Sequence, residues 1–526
     1  MNPELIDRLR DDLERADYRV ARVSALLGAT ADAARQRGVF APARQVLARR
    51  EASPLATLVR VFLLGETVDA EELEAALSAL GADGARELGL VAAEVRDPIA
   101  GRARYRAALS LNPVRLGGAA ETDGETEEWW ILSDLDDQLR RAPARPDHVM
   151  GVGGATRSLI AQAPAGTVAT SLDLGTGCGI VALHLTRHTA ESVVATDISE
   201  RALTLARANA RLGGVSDRID FRHGDLFEPV AGERFDLILS NPPFVITPRE
   251  VGAPVYEYRD GGRTGDELAA DVVRRGPGQL TDGGTLLCLA NWESPWGENG
   301  LERVRGWIAA ARETTGPLAA WVIERDRVEP AQYAETWVRD GGARPGSPEF
   351  EALMENWIAD FAARRVVAVG LGSVRVRRGD TDVVHCEQAP GPFVAEQAGT
   401  HVGVHVGELL QRAFEAGVEA AGMRDAEVLA ARWVLDRAVV ELREHTPGEE
   451  APRAIALTID RPIARRVVAD PLLAAAVGAC DGDLTLGQIA DALATLLEVD
   501  VEAASEALVA GARELTWLGM LSPARR

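Results

Sequence analysis

Residues 168–180 read VATSLDLGTGCGI. A β-branched, apolar run ends in Leu172-Asp173-Leu174, and Gly175, Gly177 and Gly179 then follow at alternate positions before IVALHLTRH turns to a helical pattern. Glycines at such a junction permit positive φ and let a ligand approach the backbone closely. The helix N-terminus that follows favours a carboxylate or a phosphate. A strand, a glycine turn and a helix in this order predict an α/β fold. The turn alone is compatible with a dinucleotide loop or with a tight strand-to-helix connection.

The next strands narrow the choice. SVVATD ends in Asp197, 18 positions after Gly179, where a carboxylate can grip two ribose hydroxyls. That suits a nicotinamide dinucleotide as well as S-adenosylmethionine. A third strand leads into HGDLF and places Asp225 where an acid can accept an adenine amino hydrogen. A fourth, FDLILS, runs directly into Asn241-Pro242-Pro243-Phe244. Two prolines fix the backbone there and remove two N–H donors. The Asn241 amide oxygen and the Pro242 carbonyl can then face one planar –NH2 group, with the Phe244 ring alongside.

In these four motifs the chain resembles the class I S-adenosylmethionine-dependent methyltransferases of the branch with an (N/D)PP(Y/F/W) motif. LDLGTGCG, VVATDIS, GDLF and LILSNPPF occur in the family's order and spacing, and the resemblance covers residues 145 to 325. Within the branch it is similar to the release-factor glutamine methyltransferases of the HemK/PrmC type and to the small-domain (RsmC-like) rRNA enzymes. The stretch beginning YRDGGRTGDEL resembles the segment that follows the motif in the HemK type, although Arg263-Thr264 interrupts its spacing. The three-part layout resembles an actinobacterial methyltransferase family with the same NPPF core. The resemblance implies a Rossmann-like, seven-stranded methyltransferase sheet and S-adenosyl-L-methionine as cofactor. It implies cofactor contacts at Asp173, Gly175, Thr176, Gly177, Gly179, Asp197, Ile198, Asp225, Leu226 and Asn241, and catalytic roles for Asn241, Pro242 and Phe244.

The acceptor stays open at this level. A glutamine amide of a protein, an RNA or DNA base and a small metabolite all offer a nitrogen of the right kind. A non-catalytic cofactor-binding or protein-interaction module is a further alternative. A nicotinamide-dependent oxidoreductase of the Tyr-x-x-x-Lys kind is excluded, because the chain has no lysine. Thr156 or Arg157, in HVMGVGGATRSL, can donate to the amino-acid end of a cofactor, and Trp292 or Trp296 can stack a substrate; a plain loop and plain packing are the alternatives.

The chain as a whole divides into three regions. Residues 1–120 read as a helical, winged-helix-like module, with Asp69 opening a helix and a hairpin turn near Pro98–Gly101. Residues 121–385 hold the methyltransferase pattern with a helical insertion at 326–365. Residues 386–526 return to helical periodicity, including AEVLAARWVLDRAVVELREH, and end winged-helix-like. A helix-turn-helix reading invites DNA, but residues 391–526 carry 12 Arg against 21 acids, which opposes entry into a groove. The whole chain is acidic too, with net charge −23, so global attraction to phosphate backbones is excluded. The arginine-only cationic side chains read as the codon bias of a high-GC genome. Apolar runs are shorter than the ~20 residues of a membrane span, and the charged N-terminus lacks a signal core, so a cytoplasmic protein is expected. Cys178, Cys288, Cys386 and Cys480 are spaced too widely for a zinc motif and are expected as buried thiols. His401 and His405 lack an acidic third ligand, and no metal is expected.

Overall fold

The computed structural model describes residues 1–94, 103–116, 127–140, 145–249, 262–394 and 405–524. The alternation read from the sequence folds into one large sheet. Its strands are β1 (Val168–Leu174), β2 (Thr189–Asp197), β3 (Ile219–His223), β4 (Phe235–Ser240), β5 (Leu280–Pro295), β6 (Leu318–Val328), β7 (Val366–Arg378) and β8 (Val383–Gln388). They lie in the order β3-β2-β1-β4-β5-β7-β6-β8. The first five run parallel, β7 inserts antiparallel between β5 and β6, and β8 pairs parallel with β6. The sheet therefore has eight strands rather than the expected seven. The extra strand, VVHCEQ, pairs Val383 with Ala319 and Gln388 with Glu324 and thereby covers the edge of β6.

Both faces of the sheet are covered, as parallel strands require. In β4, Leu237 and Leu239 enter one core and Ile238 the other, the two-residue period of a pleated strand. The helices are α1 (Gly154–Gln162), α2 (Ile180–His188), α3 (Glu200–Leu212), α4 (Glu267–Arg275), α5 (Gly300–Thr315), α6 (Pro330–Asp340) and α7 (Pro348–Ala363). Pro330 and Pro348 stand at first-turn positions, where a missing N–H costs nothing, and Ser347 caps α7 by accepting from Phe350 N–H at 3.2 Å. The expected insertion is thus two helices.

The N-terminal region shares a core with the methyltransferase sheet: Leu9, Phe62 and Leu111 belong to the same buried cluster as Leu183 and Leu237. Its strands Val68–Asp69, Val91–Glu94 and Arg104–Ala107 form an antiparallel sheet with the last in the middle. Asp69 opens helix Ala70–Ala76 in a capping box with Glu72, as its sequence context predicts. The turn near Pro98–Gly101 lies outside the described residues. Strand Ser110–Arg115 pairs with Glu128–Ser133 across residue 120, so hydrogen bonding continues past that boundary.

In the C-terminal region, helix Val406–Gly422 packs against helix Val501–Trp517. The helical reading of 426–445 is corrected. Only Asp425–Ala430 is helical; Arg432–Leu435 and Val440–Glu444 are strands. The reason is local as well as tertiary. Trp433, Val434, Val439 and Val440 favour a pleated backbone, and Arg432–Leu435 finds partners on both sides, in Asp481–Thr485 and Leu521–Pro523. A meander of Val440–Glu444, Ala454–Ile459 and Arg465–Ala469, unread in the sequence, lies beside it. All four cysteines are free; three are buried and Cys386 is half-buried. Among the described residues no helix is long and apolar enough to cross a membrane.

Candidate active site

The strand order reverses at β1 and β4, and their carboxyl ends open into a cavity of about 620 Å³. Such a switch point is where open α/β sheets collect ligands. Gly175, Gly177 and Gly179 have φ of +79°, +55° and +87°. A Cβ at Gly175 or Gly177 would meet nothing within 4 Å, so both leave room on the cavity side. Gly179 does something else. Its Cβ would stand 2.9 Å from that of Ala206, and its smoothness lets α3 approach the glycine turn. The loop is held by Gly175 and Thr176 N–H, which donate to the Thr196 carbonyl at 3.0 and 2.9 Å.

Asp197, at the end of β2, accepts from Gly177 N–H through Oδ2 and from Ser199 N–H through Oδ1, both at 2.8 Å. These bonds hold the carboxylate at the cavity edge. Ile198, beside it, lines the cavity and is 53% exposed, an apolar surface suited to a flat ring. Asp225 and Leu226 line the same side, and Asp225 accepts from Arg263 at 3.2 Å. Asp173, by contrast, is buried behind the loop. It accepts from Thr176 Oγ1 at 2.5 Å and from Ala182 N–H at 2.9 Å, so it braces the turn. Burial pushes its carboxyl up to about 7.

Asn241, Pro242 and Phe244 meet the glycine loop across the cavity. Asn241 Nδ2 donates to Thr156 Oγ1 on α1 at 3.1 Å, which fixes the amide plane. Its Oδ1 is buried and has no hydrogen-bond partner among the described residues. An unsatisfied buried acceptor costs about 1–3 kcal/mol, so this atom is poised for a donor. Phe244 packs against both the N-terminal-side core and the core of the insertion.

Other expected residues fall elsewhere. Arg157 donates to the Arg115 carbonyl at 2.9 Å and is absent from the cavity lining, whereas Thr156 lines it. Trp292 is fully buried and donates to Glu324 at 2.8 Å, which removes it as a stacking surface. Trp296 is 69% exposed and also outside the cavity lining. Two walls escaped the sequence reading. Trp337 and Asp340 of α6 close one side. Helix α6 is tied there by Tyr333, whose hydroxyl accepts from Ile246 N–H at 3.1 Å and from Asn291 Nδ2 at 2.7 Å. Asn209 of α3 also went unread. It accepts from Leu132 N–H at 2.8 Å and donates to the carbonyls of Leu132 at 2.9 Å and Cys178 at 2.8 Å. One fully buried amide thus joins the N-terminal hairpin, the strand pair Ser110–Arg115 and Glu128–Ser133, to the glycine loop.

Residues 150–316 match the family model described as "Methyltransferase small domain", and residues 15–104 match one described as "Domain of unknown function (DUF7059)". A ribosomal protein uL3 glutamine methyltransferase of Bradyrhizobium diazoefficiens is 36% identical over 149 residues, 27% of this chain and 46% of that protein. A release factor glutamine methyltransferase of Cereibacter sphaeroides is 40% identical over 141 residues, 25% of this chain and 50% of that protein. The chain thus spans about half the length of these curated relatives. Among solved structures, a methyltransferase from Pyrococcus furiosus is 16% identical with a TM-score of 0.25, covering 43% of this chain and 82% of its own. The open glycine cradle, the pinned Asp197 carboxylate and the exposed Ile198 fit a nucleoside carrying an amino-acid arm. Residues 150–316 are thus similar, in family model and in curated relatives, to the methyltransferase small domain and to glutamine methyltransferases of the HemK/PrmC-like type.

Proposed function

We propose that the chain is an N-methyltransferase whose acceptor is the side-chain amide of a protein glutamine. The observation that carries this reading is the orphaned Asn241 Oδ1, buried beside Pro242 and Phe244 and aligned by Thr156. Gly175, Gly177, Asp197, Ile198 and Asp225 would hold S-adenosylmethionine, which would supply an electrophilic methyl group. Asn241 Oδ1 accepts one N–H of the acceptor amide and the Pro242 carbonyl the other. The two bonds raise electron density on the nitrogen and aim its lone pair, while Phe244 flanks the amide plane. Alignment of this kind is worth up to ~7–11 kcal/mol of the barrier. No strong base is required, because the nitrogen loses a proton after it has become cationic. Asp173 acts at one remove by bracing the turn. The names of the relatives and the acidic chain favour a protein acceptor over a nucleic acid. The flanking regions, expected as winged-helix-like modules, are assigned to presenting that protein.

Purified chain incubated with methyl-labelled S-adenosylmethionine and cell lysate tests the reading. Label is expected in protease-sensitive, nuclease-resistant material and in N5-methylglutamine after proteolysis. Label released by nuclease alone sinks the protein acceptor. Equal loss of transfer and of cofactor binding in Asn241→Ala sinks the clasp.

A further inference from the structure

Away from the cofactor cavity, Glu127, His184 and His188 converge. Both histidines lie on α2 at i and i+4, which places their rings on one helix face, and their centroids are 4.6 Å apart. Glu127 immediately precedes the strand Glu128–Ser133 and reaches them from the N-terminal hairpin. One ligand atom from each of the three lies within 4.8 Å of the other two. Glu127 Oε2 is already 2.9 Å from His184 Nδ1. Both side chains of that pair are mostly buried.

We propose that Glu127, His184 and His188 form a binding site for a divalent zinc ion that staples the N-terminal hairpin to α2. Two imidazoles and one carboxylate are a borderline-soft N/O donor set, and three protein ligands with one open position are a known zinc arrangement. A zinc among them would need Zn–N and Zn–O bonds of ~2.0–2.2 Å, and the three ligand atoms already lie within 4.8 Å of one another. The surroundings are those of oriented ligands. Trp129 Nε1 donates to the other Glu127 oxygen at 2.9 Å, and His188 is hydrogen-bonded to the Ala165 backbone. Partners of this type fix tautomer and ring plane in metal sites. Arg187 is directed over the Trp129 ring, 5.7 Å from its centroid. The helix that carries the histidines begins at the glycine turn, so an ion here would clamp the far end of the element that supports the cofactor. The site is independent of the methyl acceptor.

The full chain, stripped with chelator, is titrated with zinc chloride against a competing chromophoric chelator, and its thermal midpoint is followed in parallel. One zinc per chain and a midpoint that rises with zinc are expected. Glu127→Gln and His188→Gln are each expected to weaken zinc binding by more than the ~10–100-fold that loss of an outer-shell partner costs, and the double variant H184Q/H188Q to abolish the zinc-dependent midpoint shift. Absence of stoichiometric zinc on the wild-type chain overturns the proposal, and that arm needs no variant to fold. Retention of one equivalent by a folded double variant overturns it as well.

Discussion

Two asparagines near the glycine loop, Asn209 fully buried and Asn241 half-buried, have opposite surroundings. Asn209, between the N-terminal hairpin and the loop, has its amide oxygen and nitrogen in three hydrogen bonds to backbone groups. Asn241, across the cavity, has its nitrogen bonded to Thr156 and its oxygen bonded to nothing among the described residues. The same side chain is a structural rivet in one place and an open receptor in the other. What separates them is satisfaction, since a buried polar group without a partner is costly and persists where a ligand completes it.

The sharpest break of this contrast is Asn209→Ala. It orphans the Leu132 N–H and the carbonyls of Leu132 and Cys178, and a stability loss of about 3–5 kcal/mol is expected from groups worth ~1–3 kcal/mol each. Chemical denaturation reads it, and survivors at low temperature should still transfer methyl groups. Asn241→Ala should do the reverse. Transfer should fall about 10²–10³-fold, the scale of losing one aligned polar partner at a reacting centre, with the thermal midpoint and cofactor affinity near wild type.

Asp173 tests the intermediate case, a buried acid with partial satisfaction. Burial raises its carboxyl from 3.8 to about 7. The folded state therefore binds this proton more tightly than the unfolded chain, and the group's contribution to stability is lost as pH rises from about 4 through 7. Asp173→Asn should flatten that slope, by about 3 kcal/mol between pH 5 and 8, in denaturation measured at both pH values. A steeper slope in the variant contradicts burial as the cause. The smallest effect is expected from Gly177→Ala. A non-glycine residue at φ of +55° costs about 1–2 kcal/mol, and its methyl projects toward the cofactor side. Cofactor affinity, by calorimetry, should drop roughly tenfold. Gly179→Ala instead strikes Ala206 and should cost stability while sparing affinity.

The parts that were legible share a physical reason. Gly175–Gly179 and Asn241–Phe244 announce themselves because positive φ and a fixed diproline backbone are properties of a few consecutive residues. Asp197 and Asp225 were legible because a strand end is a local event that sets where the side chain emerges. Asn209 was not, since an asparagine inside RALTLARANARLGG reads as one more polar helix position until the Glu128–Ser133 strand is laid across it. Trp337 and Tyr333 carried only a helical period; Trp337's place in the cavity wall and Tyr333's bond to Ile246 N–H depend on α6 folding back over the sheet. The misread segment 426–445 shows the converse error, in which helical spacing of apolar residues lost to strand pairing on both sides of Arg432–Leu435. His184 and His188 were visible four residues apart, but their acid partner comes from Glu127, 57 residues earlier.

The amino-acid order alone determined the doubly covered parallel sheet, the positive-φ glycine turn after β1 and the rigid Asn241–Phe244 exit from β4, because each depends on short-range backbone restriction and two-residue periodicity. Tertiary structure alone decided the eighth strand, the α6 wall, the hub at Asn209 and the Glu127–His184–His188 cluster. Those features join residues far apart in the chain, and such contacts form only when burial of a common core outweighs the entropy of bringing distant segments together.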